Sequence, residues 1–318
     1  MTSFGYALSS EEHPPNDLVR NARRAEEVGF EFALISDHFH PWVSAQGHSP
    51  FVWSVIGGIS QVTDHLRLGT GVTCPTIRIH PAIIAQAAAT AASMMAGRFF
   101  LGVGTGENLN EHILGDRWPP YPVRLEMLEE AIELIRMLWE GDTTSFYGDY
   151  YLVEDARIFT LPDTPPSIMV AASGPTSAEA AGRFGDGFIS VAPKAEIVQK
   201  FQEAGDEEKP RYGQVTVCWA ESEDEARDVV SRIWPNNGLT GQMSQELRTV
   251  VHMEQAVKML SEEQRSENIV CGPDPQAHLD RIQAFIDAGY DHIYIHQIGP
   301  DQEGFFRFYK QEILPELS

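Results

Sequence analysis

The chain has 318 residues, 42% of them hydrophobic and 10% aromatic, which is enough for a sizeable core in one large domain or two small ones. No apolar run reaches the roughly 18 residues that a membrane-spanning helix needs. The formal net charge of −23 makes nucleic acids and anionic membranes poor partners for the molecule as a whole.

Short apolar strands alternate with helical patterns along almost the whole chain. The predicted strands are Ser3–Ala7, Phe32–Ser36, Leu66–Val72, Arg98–Val103, Ser167–Ala172, Gly187–Val191, Gln214–Trp219 and His292–Ile295. The predicted helices are Asp17–Val28, Pro50–Val62, Pro81–Met95, Tyr121–Trp139, Pro175–Phe184, Glu196–Gln202, Ser222–Ile233, Asp274–Ala288 and Gln302–Leu314. Strands joined in this way by helices predict a (β/α)8 TIM barrel, with a doubly wound sheet as the alternative.

Two stretches, at about 142–160 and 235–267, interrupt the alternation and are interpreted as insertions. The first contains Phe146–Tyr151, whose aromatic residues surround a Gly-Asp pair and predict a β-hairpin. The second has helical stretches and precedes a short apolar segment, Ile269–Cys271. Because no linker or repeat divides the chain, a single barrel domain over residues 1–318 is expected.

In a barrel of this kind the carboxyl ends of all strands lie at one face. Polar or small residues follow most of the predicted strands: Ser9, Ser10, Glu11 and Glu12; Asp37, His38, His40 and Trp42; Thr73, Cys74 and Thr76; Gly102 to Glu111; Ser173 and Gly174; Lys194; His296 and Gln297. The sequence therefore predicts one site that combines imidazole, carboxylate and glycine-rich backbone.

The densest of these groups runs from Asp37 to Trp42 and has three interpretations. His38 and His40 share a face of an extended chain and could bind a metal, although no third or fourth ligand is evident. Asp37 could instead satisfy a loop donor structurally. The interpretation favoured here is that His38 is a general acid or base, with Trp42 either in the core or beside a ligand.

The segment from Gly102 to Glu107 reads GxGxG rather than the GxGxxG of dinucleotide-binding folds. A glycine-rich barrel loop that approaches a large cofactor fits better. Glu107 is either a solvated loop carboxylate or an acid that faces His38 across the cavity. The segment Ala171–Pro175 leads into a helix, so it is expected to present free N–H groups to an anion such as phosphate.

The three cysteines, Cys74, Cys218 and Cys271, are far apart, so neither a disulfide framework nor a zinc site is expected. The N-terminus lacks the pattern of a signal peptide. A cytoplasmic location is therefore predicted. The acid excess with few lysines fits a protein of a high-salt cytoplasm and equally an ordinary acidic protein.

Three stretches together resemble the deazaflavin-dependent branch of the luciferase-like oxidoreductases: Ser36–Phe39 with Trp42, Gly102–Glu111, and Gly148–Tyr151. The resemblance implies a TIM barrel that binds coenzyme F-420, an 8-hydroxy-5-deazaflavin, at its carboxyl-terminal face, and a homodimer. It implies that His38 acts at the substrate carbinol, Trp42 supports the reacting intermediate, Glu107 is an acid and Glu11 belongs to the active site.

The resemblance also implies a set of cofactor contacts and a non-prolyl cis peptide between Gly71 and Val72 behind the ring. The expected cofactor-binding residues are Asp37, Gly71, Val72, Thr73, Thr105, Gly106, Asn110, Ala172, Ser173 and Gly174. Asp37 is expected at the ring itself, and the others at the ring, its side chain or its phosphate.

The expected substrate-binding positions depart from the sugar-phosphate dehydrogenases of that family. Where those enzymes hold a phosphate with a threonine, two lysines and an arginine, this chain has Val191, Lys194, Ser244 and a position near Glu267, and Gln245 replaces a histidine. A phosphate dianion would be poorly bound there. We therefore predict hydride transfer between deazaflavin and an alcohol or carbonyl substrate other than glucose 6-phosphate. An FMN-dependent monooxygenase and a non-catalytic deazaflavin-binding barrel are the alternatives.

Overall fold

The computed structural model describes residues 2–239 and 241–317. Its strands are β1 (Ser3–Leu8), β2 (Phe32–Ile35), β3 (Arg67–Thr70), β4 (Phe99–Val103), β5 (Thr144–Tyr147), β6 (Leu152–Ala156), β7 (Ile168–Ala171), β8 (Gly187–Ser190), β9 (Arg211–Cys218), β10 (Val270–Cys271) and β11 (His292–Gln297). Its helices are α1 (Pro15–Val28), α2 (Val52–Ile59), α3 (Pro81–Met95), α4 (Asn108–Glu111), α5 (Tyr121–Trp139), α6 (Pro175–Phe184), α7 (Ala195–Ala204), α8 (Glu223–Ile233), α9 (Gln242–Glu246), α10 (Val250–Val257), α11 (Glu262–Ser266), α12 (Pro275–Asp287) and α13 (Gln302–Phe308).

Eight parallel strands close into a barrel, which confirms the predicted (β/α)8 fold. Their order around the barrel is β9, β11, β1, β2, β3, β4, β7 and β8, and β8 pairs with β9 to complete the circle. Tyr6 on β1 lies opposite Ile295 on one side and Ala33 on the other. The first and last barrel strands are therefore neighbours, so the two ends of the chain contribute to adjacent parts of the same face.

The barrel interior is filled at its amino-terminal end by large aromatic side chains. Phe32, Phe100 and Tyr212 stand at or near the starts of their strands, are fully buried and pack against one another. Leu34 and Ile189, further along their strands, complete this interior cluster. With the lower end plugged, the open space of the barrel lies at the carboxyl ends of the strands.

The helices pack around the barrel through one apolar face each. In α3, which begins at Pro81 as predicted, Ile84, Ala85, Ala88 and Ala92 are buried against the sheet and α5. The helix ends at Ala96 and Gly97, both at positive φ. Small residues on this face let α3 lie close to its neighbours.

Three predicted boundaries were wrong in an informative way. β9 begins at Arg211 rather than Gln214, because Gly213 does not break the strand: a Cβ there would lie 2.6 Å from the Phe285 ring of α12. β3 ends at Thr70, just before the Gly71–Val72 peptide bond, which is cis as the resemblance implied. The last helix, α13, ends at Phe308 and continues as a π-helical turn.

The two interruptions of the barrel pattern have structures of their own. Strands β5 and β6 form the predicted antiparallel hairpin. Between Pro235 and Ser266 the chain forms a 3₁₀ turn and the short helices α9, α10 and α11. In the described part of the chain, no helix combines the length and the apolar character needed to cross a membrane.

Candidate active site

A cavity of about 410 Å³ opens at the carboxyl ends of the barrel strands. All eight barrel strands, or the loops that follow them, contribute to its lining. Many of the predicted site residues line it: Glu11, His38, Trp42, Gly71, Val72, Thr105, Gly106, Glu107, Ala172, Ser173, Val191 and Gln245. The cavity is of the size usual for small-molecule and cofactor sites.

His38 is held between two carboxylates. Its Nδ1 pairs with Glu11 Oε1, and its Nε2 lies 3.6 Å from Glu107 Oε2. Glu11 is 1% exposed, and its second oxygen accepts hydrogen bonds from Ser9 Oγ at 3.0 Å and Ser36 Oγ at 2.8 Å. Glu11 therefore orients the imidazole, and Nε2 is left facing the cavity.

The same contacts set the charge of the pair. Burial lowers the pKa of His38, but the carboxylates of Glu11, Glu107 and Asp37 outweigh it and raise the pKa to about 9. Burial raises the pKa of Glu11, but the imidazolium and the hydrogen bonds to its carboxylate lower it to about 2. At neutral pH the site therefore holds an imidazolium paired with a buried carboxylate.

The indole of Trp42 forms the next wall of the cavity. It meets the His38 ring edge to face, with 5.0 Å between ring centroids and an interplanar angle of 84°. Asn110 Nδ2 donates to Glu107 Oε2 at 3.4 Å, and Asn110 Oδ1 accepts from the backbone N–H groups of Phe39 and His40 at 3.0 Å each. Asn110 thus ties the loop after β2 to the loop after β4.

Asp37, in contrast, is buried behind the cavity and does not line it. Its carboxylate accepts from Thr73 Oγ1 at 2.8 Å and from Arg78 Nη2 at 2.9 Å. Arg78 also donates from its backbone N–H to Glu111 at 2.8 Å. Thr73 and Arg78 therefore both hold the Asp37 carboxylate. Asp37, Thr73 and Asn110 do not line the cavity, and their contacts with a cofactor stay a prediction.

His40 is turned toward the loop after β4 and not toward a metal centre. Its Nδ1 hydrogen-bonds the Leu109 carbonyl oxygen at 2.9 Å, and its ring stacks on His112. The residues described by the structure contain no group of three histidine, cysteine, aspartate or glutamate side chains that could bind a metal ion. The contacts of His40 therefore join the loop after β2 to the loop after β4.

The floor of the cavity between β2, β3, β4 and β7 is formed by small and aliphatic residues. Gly71, Val72, Gly104 and Ala171 lie side by side there: a Cβ on Gly104 would meet Val72 Cγ2 at 2.8 Å and Ala171 Cβ at 3.4 Å. Gly106, at a φ of +73°, turns the chain over Cys74 toward Glu107. This low floor beside a polar His–Glu wall fits a flat, ring-shaped cofactor.

The predicted free N–H groups after β7 are not free, so this prediction was wrong. The N–H groups of Ser173 and Gly174 both donate to Ser177 Oγ at 3.1 Å, and that of Ala172 donates to the Ile189 carbonyl at 2.9 Å. The helix-capping serine at the third position of α6 was the overlooked signal. Ala172 and Ser173 line the cavity, whereas Gly174 does not.

Among the residues that the structure describes, the end of the cavity formed by β8, β9 and the 235–267 segment lacks the lysines and the arginine of the expected phosphate site. Val191, Ser244 and Gln245 line it, whereas Lys194 is exposed outside it and Glu267 is exposed. Among the lining residues described, none is a lysine or an arginine. Arg124 is fully buried and donates to Gln245 Oε1 at 3.2 Å, and its guanidinium does not line the cavity.

Glu12 and His296 were placed at strand ends by the sequence but given no role. His296 Nε2 donates to Glu12 Oε2 at 2.9 Å, and His296 lines the cavity. The missed signal was topological: the first and last strands of a closed barrel are neighbours, so residues 284 positions apart meet.

Comparison with known proteins matches this chain to a family model and to curated relatives over almost its whole length. The family model described as luciferase-like monooxygenase matches residues 1–292. The F-420-dependent glucose-6-phosphate dehydrogenase of Microbacterium testaceum is 36% identical over 326 residues, covering 99% of this chain and 97% of that protein. The protein of the same name from Amycolatopsis mediterranei is 36% identical over 330 residues, covering 100% and 99%.

A solved structure matches at both sequence and fold level. An F-420-dependent secondary alcohol dehydrogenase in complex with an F-420–acetone adduct superimposes with a TM-score of 0.92 and is 30% identical. The match covers 100% of this chain and 99% of that chain. An F-420-dependent tetrahydromethanopterin reductase from Methanopyrus kandleri, 22% identical with a TM-score of 0.78, shares the fold.

Proposed function

The chain belongs to the luciferase-like monooxygenase family and is a coenzyme F-420-dependent oxidoreductase, and we propose that it moves a hydride between deazaflavin and an uncharged alcohol or carbonyl substrate. The observation that carries this proposal is the imidazole of His38, oriented by buried Glu11 and facing the cavity beside Glu107. Alcohol oxidation requires an acid–base group next to the cofactor ring, which would lie on the floor of the cavity. Glucose 6-phosphate is not the proposed substrate.

Gly71, Val72, Gly104, Thr105 and Ala171 would hold the cofactor ring on the low floor. Coenzyme F-420, when bound, supplies two-electron hydride chemistry, which belongs to the cofactor. Asp37, Thr73 and Arg78 support this floor from behind rather than touching the ring through their side chains. The described lining has no lysine or arginine, and the His38 imidazolium is already paired with Glu11, so the anionic tail of the cofactor would leave through the mouth.

In the oxidation direction, the substrate hydroxyl would donate its proton to His38 Nε2 as hydride leaves the carbinol carbon. Glu11 stabilises the imidazolium that results, since its carboxylate stays ionised. In the reduction direction, the same imidazolium donates the proton to the carbonyl oxygen. Trp42 shields the His38 ring from water. Glu107, which lies near Nε2, would stabilise the imidazolium or exchange a proton with it.

Charge is the argument against a phosphorylated substrate. The described lining contains the carboxylates of Glu11 and Glu107 and no lysine or arginine, and the His38 imidazolium is already paired with Glu11. Lys194 is the sole retained cation of the expected phosphate set, and it lies outside the lining. Removing a dianion from water into this cavity would be unfavourable.

The first experiment is a titration with coenzyme F-420 and, separately, FMN, followed by fluorescence. We expect binding of F-420 and weak or no binding of FMN. The loaded protein is then offered secondary alcohols, polyols and glucose 6-phosphate, and loss of deazaflavin absorbance is measured. Turnover of glucose 6-phosphate at a rate comparable to the best alcohol would contradict the proposed substrate class.

The variant His38→Ala tests the assigned role. It should retain F-420 affinity, because the floor residues are untouched, and lose at least about a hundredfold in turnover, as expected for removal of a general acid–base. His65→Ala, an exposed histidine before β3, is the matched control and should keep wild-type turnover. Unchanged turnover in His38→Ala would remove His38 from the mechanism.

We also propose a homodimer. An apolar groove between α2 and α3 exposes Phe51, Ile83 and Met94, which are 58%, 57% and 43% exposed. Analytical ultracentrifugation should show a dimer for the wild type and a shift toward monomer for Ile83→Glu. A monomeric wild type would contradict it.

A further inference from the structure

A second carboxylate–histidine pair lies in the wall formed by β1 and β11. Glu12 and His296 are both buried: the His296 side chain is 3% exposed and that of Glu12 is 2% exposed. His296 Nε2 donates to Glu12 Oε2 at 2.9 Å, and Glu12 Oε1 accepts from the Gly299 N–H at 2.9 Å. The carboxylate thus has a partner on each oxygen, and the proton on Nε2 is fixed by its acceptor.

The other ring nitrogen of His296 is unused. Nδ1 is buried and has no hydrogen-bond partner among the residues that the structure describes. His296 lines the cavity, so a ligand hydroxyl bound against this ring would supply the partner that Nδ1 lacks. With Nε2 protonated, the neutral ring offers a lone pair at Nδ1; a second proton there would be a buried donor without an acceptor.

Apart from Glu12, the side chains described next to His296 in the cavity lining are polar and uncharged. Thr216 of β9 lies opposite it in the sheet register, and Gln214 Nε2 donates to Thr216 Oγ1 at 3.4 Å. The indole of Trp234 packs edge to face on the ring, with 4.5 Å between centroids. All four residues line the cavity. An acceptor set among neutral groups favours a hydroxyl donor and disfavours a carboxylate or phosphate.

We propose that His296, held by Glu12, is the acceptor of a second substrate hydroxyl, so that the substrate is an uncharged diol or polyol. This inference rests on the proposed function, because it takes the first hydroxyl to be the one oxidised at His38. His296 is then a specificity-determining residue that places the substrate without taking part in proton transfer.

Three compounds with the same three-carbon skeleton and the same secondary carbinol test the proposal: propan-2-ol, propane-1,2-diol and lactate. With the F-420-loaded protein, kcat/KM should be about three- to tenfold higher for the diol than for propan-2-ol, the effect of one neutral hydrogen bond. Lactate should be the poorest of the three. An equal kcat/KM for the diol and propan-2-ol would overturn the subsite while leaving the proposed function standing.

Variants then assign the preference to the pair. His296→Phe should abolish the diol preference, mainly through KM, and Glu12→Gln should reduce it, because the ring is no longer held with Nε2 protonated. His65→Phe, exposed and distant from the cavity, should keep it. A preference that survives in His296→Phe would assign it elsewhere and overturn the proposal. No reduction of F-420 by any of the alcohols would contradict the proposed function and the subsite together.

A readout independent of turnover is the ¹⁵N signal of His296, identified by its loss in His296→Phe. Its Nδ1 should give the signal of an unprotonated ring nitrogen and should move when propane-1,2-diol is added, but not with propan-2-ol. A protonated Nδ1, or no response to the diol, would overturn the proposal.

Discussion

His38 has two carboxylate neighbours of unequal weight. Glu11 contacts it directly and is almost fully buried, whereas Glu107 is 3.6 Å away with a side chain that is 26% exposed. A buried charge acts through less solvent than a half-exposed one, so Glu11 is the stronger influence on the imidazole. The pKa of about 9 makes protonated His38 the dominant form in neutral solution.

The consequence is a pH dependence with opposite signs in the two directions. Alcohol oxidation needs the unprotonated ring, so its kcat/KM should rise with pH and level off above about 9; carbonyl reduction should fall over the same range. In Glu11→Gln the charge that raises the pKa of His38 is gone, so the midpoint should move down by about 1–3 pH units. The measurement is the pH profile of F-420 reduction by the best alcohol.

Two further variants test whether the size of the midpoint shift follows the distance of the carboxylate from His38. Glu107→Gln should move the midpoint in the same direction but less far, and Glu263→Gln, an exposed residue of α11, should not move it. If Glu11→Gln kept the wild-type midpoint, the titrating group in the profile would be one other than His38.

Asp37 shows how a residue in the right stretch can have a different task. Its side chain and that of Arg78 are 1% and 6% exposed, so their contact at 2.9 Å is a buried ion pair. Removing one member leaves the other short of a partner, and Asp37→Asn should lower the free energy of unfolding by about 3 kcal/mol. Urea unfolding measures it. Glu203→Gln, in an exposed pair with Lys200, should leave the urea midpoint unchanged, and an equal loss in both variants would contradict the argument.

The sequence predicted which residues lie at the site better than it predicted where their side chains point. His38, Trp42, Glu11 and Glu107 follow strands directly, and the rule that strand ends share a face places them together. The pattern carries no information on whether a side chain such as Asp37 points into the cavity or behind it. That is decided by a partner 41 positions away, Arg78, which lies in no recognisable pattern.

Helix α9 contributes Ser244 and Gln245 to the cavity lining and is held in place by Arg124 of α5. Arg124 of α5 is fully buried; it donates to Gln245 Oε1 at 3.2 Å and Glu246 Oε1 at 3.3 Å, and stacks on Trp118 at 4.0 Å. From the other side, Asn108 Nδ2 donates to the Glu246 carbonyl at 3.1 Å. A helix of five residues is not stable alone, so these contacts determine its position.

Arg124→Met should therefore loosen α9 selectively. Methionine keeps most of the buried volume but loses the hydrogen bonds to Gln245 and Glu246, together with one to the Pro119 carbonyl. Amide hydrogen exchange of residues 242–247 should therefore speed up by about tenfold, the equivalent of roughly one hydrogen bond. Exchange in the barrel strands should be unaffected. Arg248→Met, an exposed neighbour of the same segment, serves as the control, and equal exchange of the segment in both variants would show that Arg124 does not hold it.

Element boundaries were predictable where the chain carries its own stop signals. Helices α3, α5 and α6 begin at or just before a proline and end where predicted. Local pattern failed where packing decides: Gly213 continues a strand because Phe285 lies against it, and the helices of the 235–267 segment are set by contacts such as those of Arg124. Packing against elements that are distant in sequence cannot be predicted from a short stretch of neighbouring residues.

For the whole molecule, the excess of acid remains after the visible ion pairs are formed. The chain has 46 aspartate and glutamate residues against 23 lysine and arginine residues, so at most half of the carboxylates can have a basic partner of their own. Pairs such as Arg24 with Glu27 and Glu303 are on the surface and contribute little each. The folded state is therefore under net self-repulsion, which salt screens.

This repulsion predicts how thermal stability depends on ionic strength. The screening length falls from about 30 Å at 0.01 M to about 10 Å at 0.1 M and about 3 Å at 1 M, so most of the repulsion between surface carboxylates is removed below about 0.3 M. The melting temperature should rise over that range in KCl and NaCl alike and then level off, because screening does not depend on which monovalent cation is present. Sucrose at matched osmolality controls for exclusion of solutes from the surface, and should not reproduce the rise at these low concentrations. A melting temperature that keeps climbing in KCl beyond about 2 M would contradict simple screening. It would instead favour a protein built for a high-salt cytoplasm.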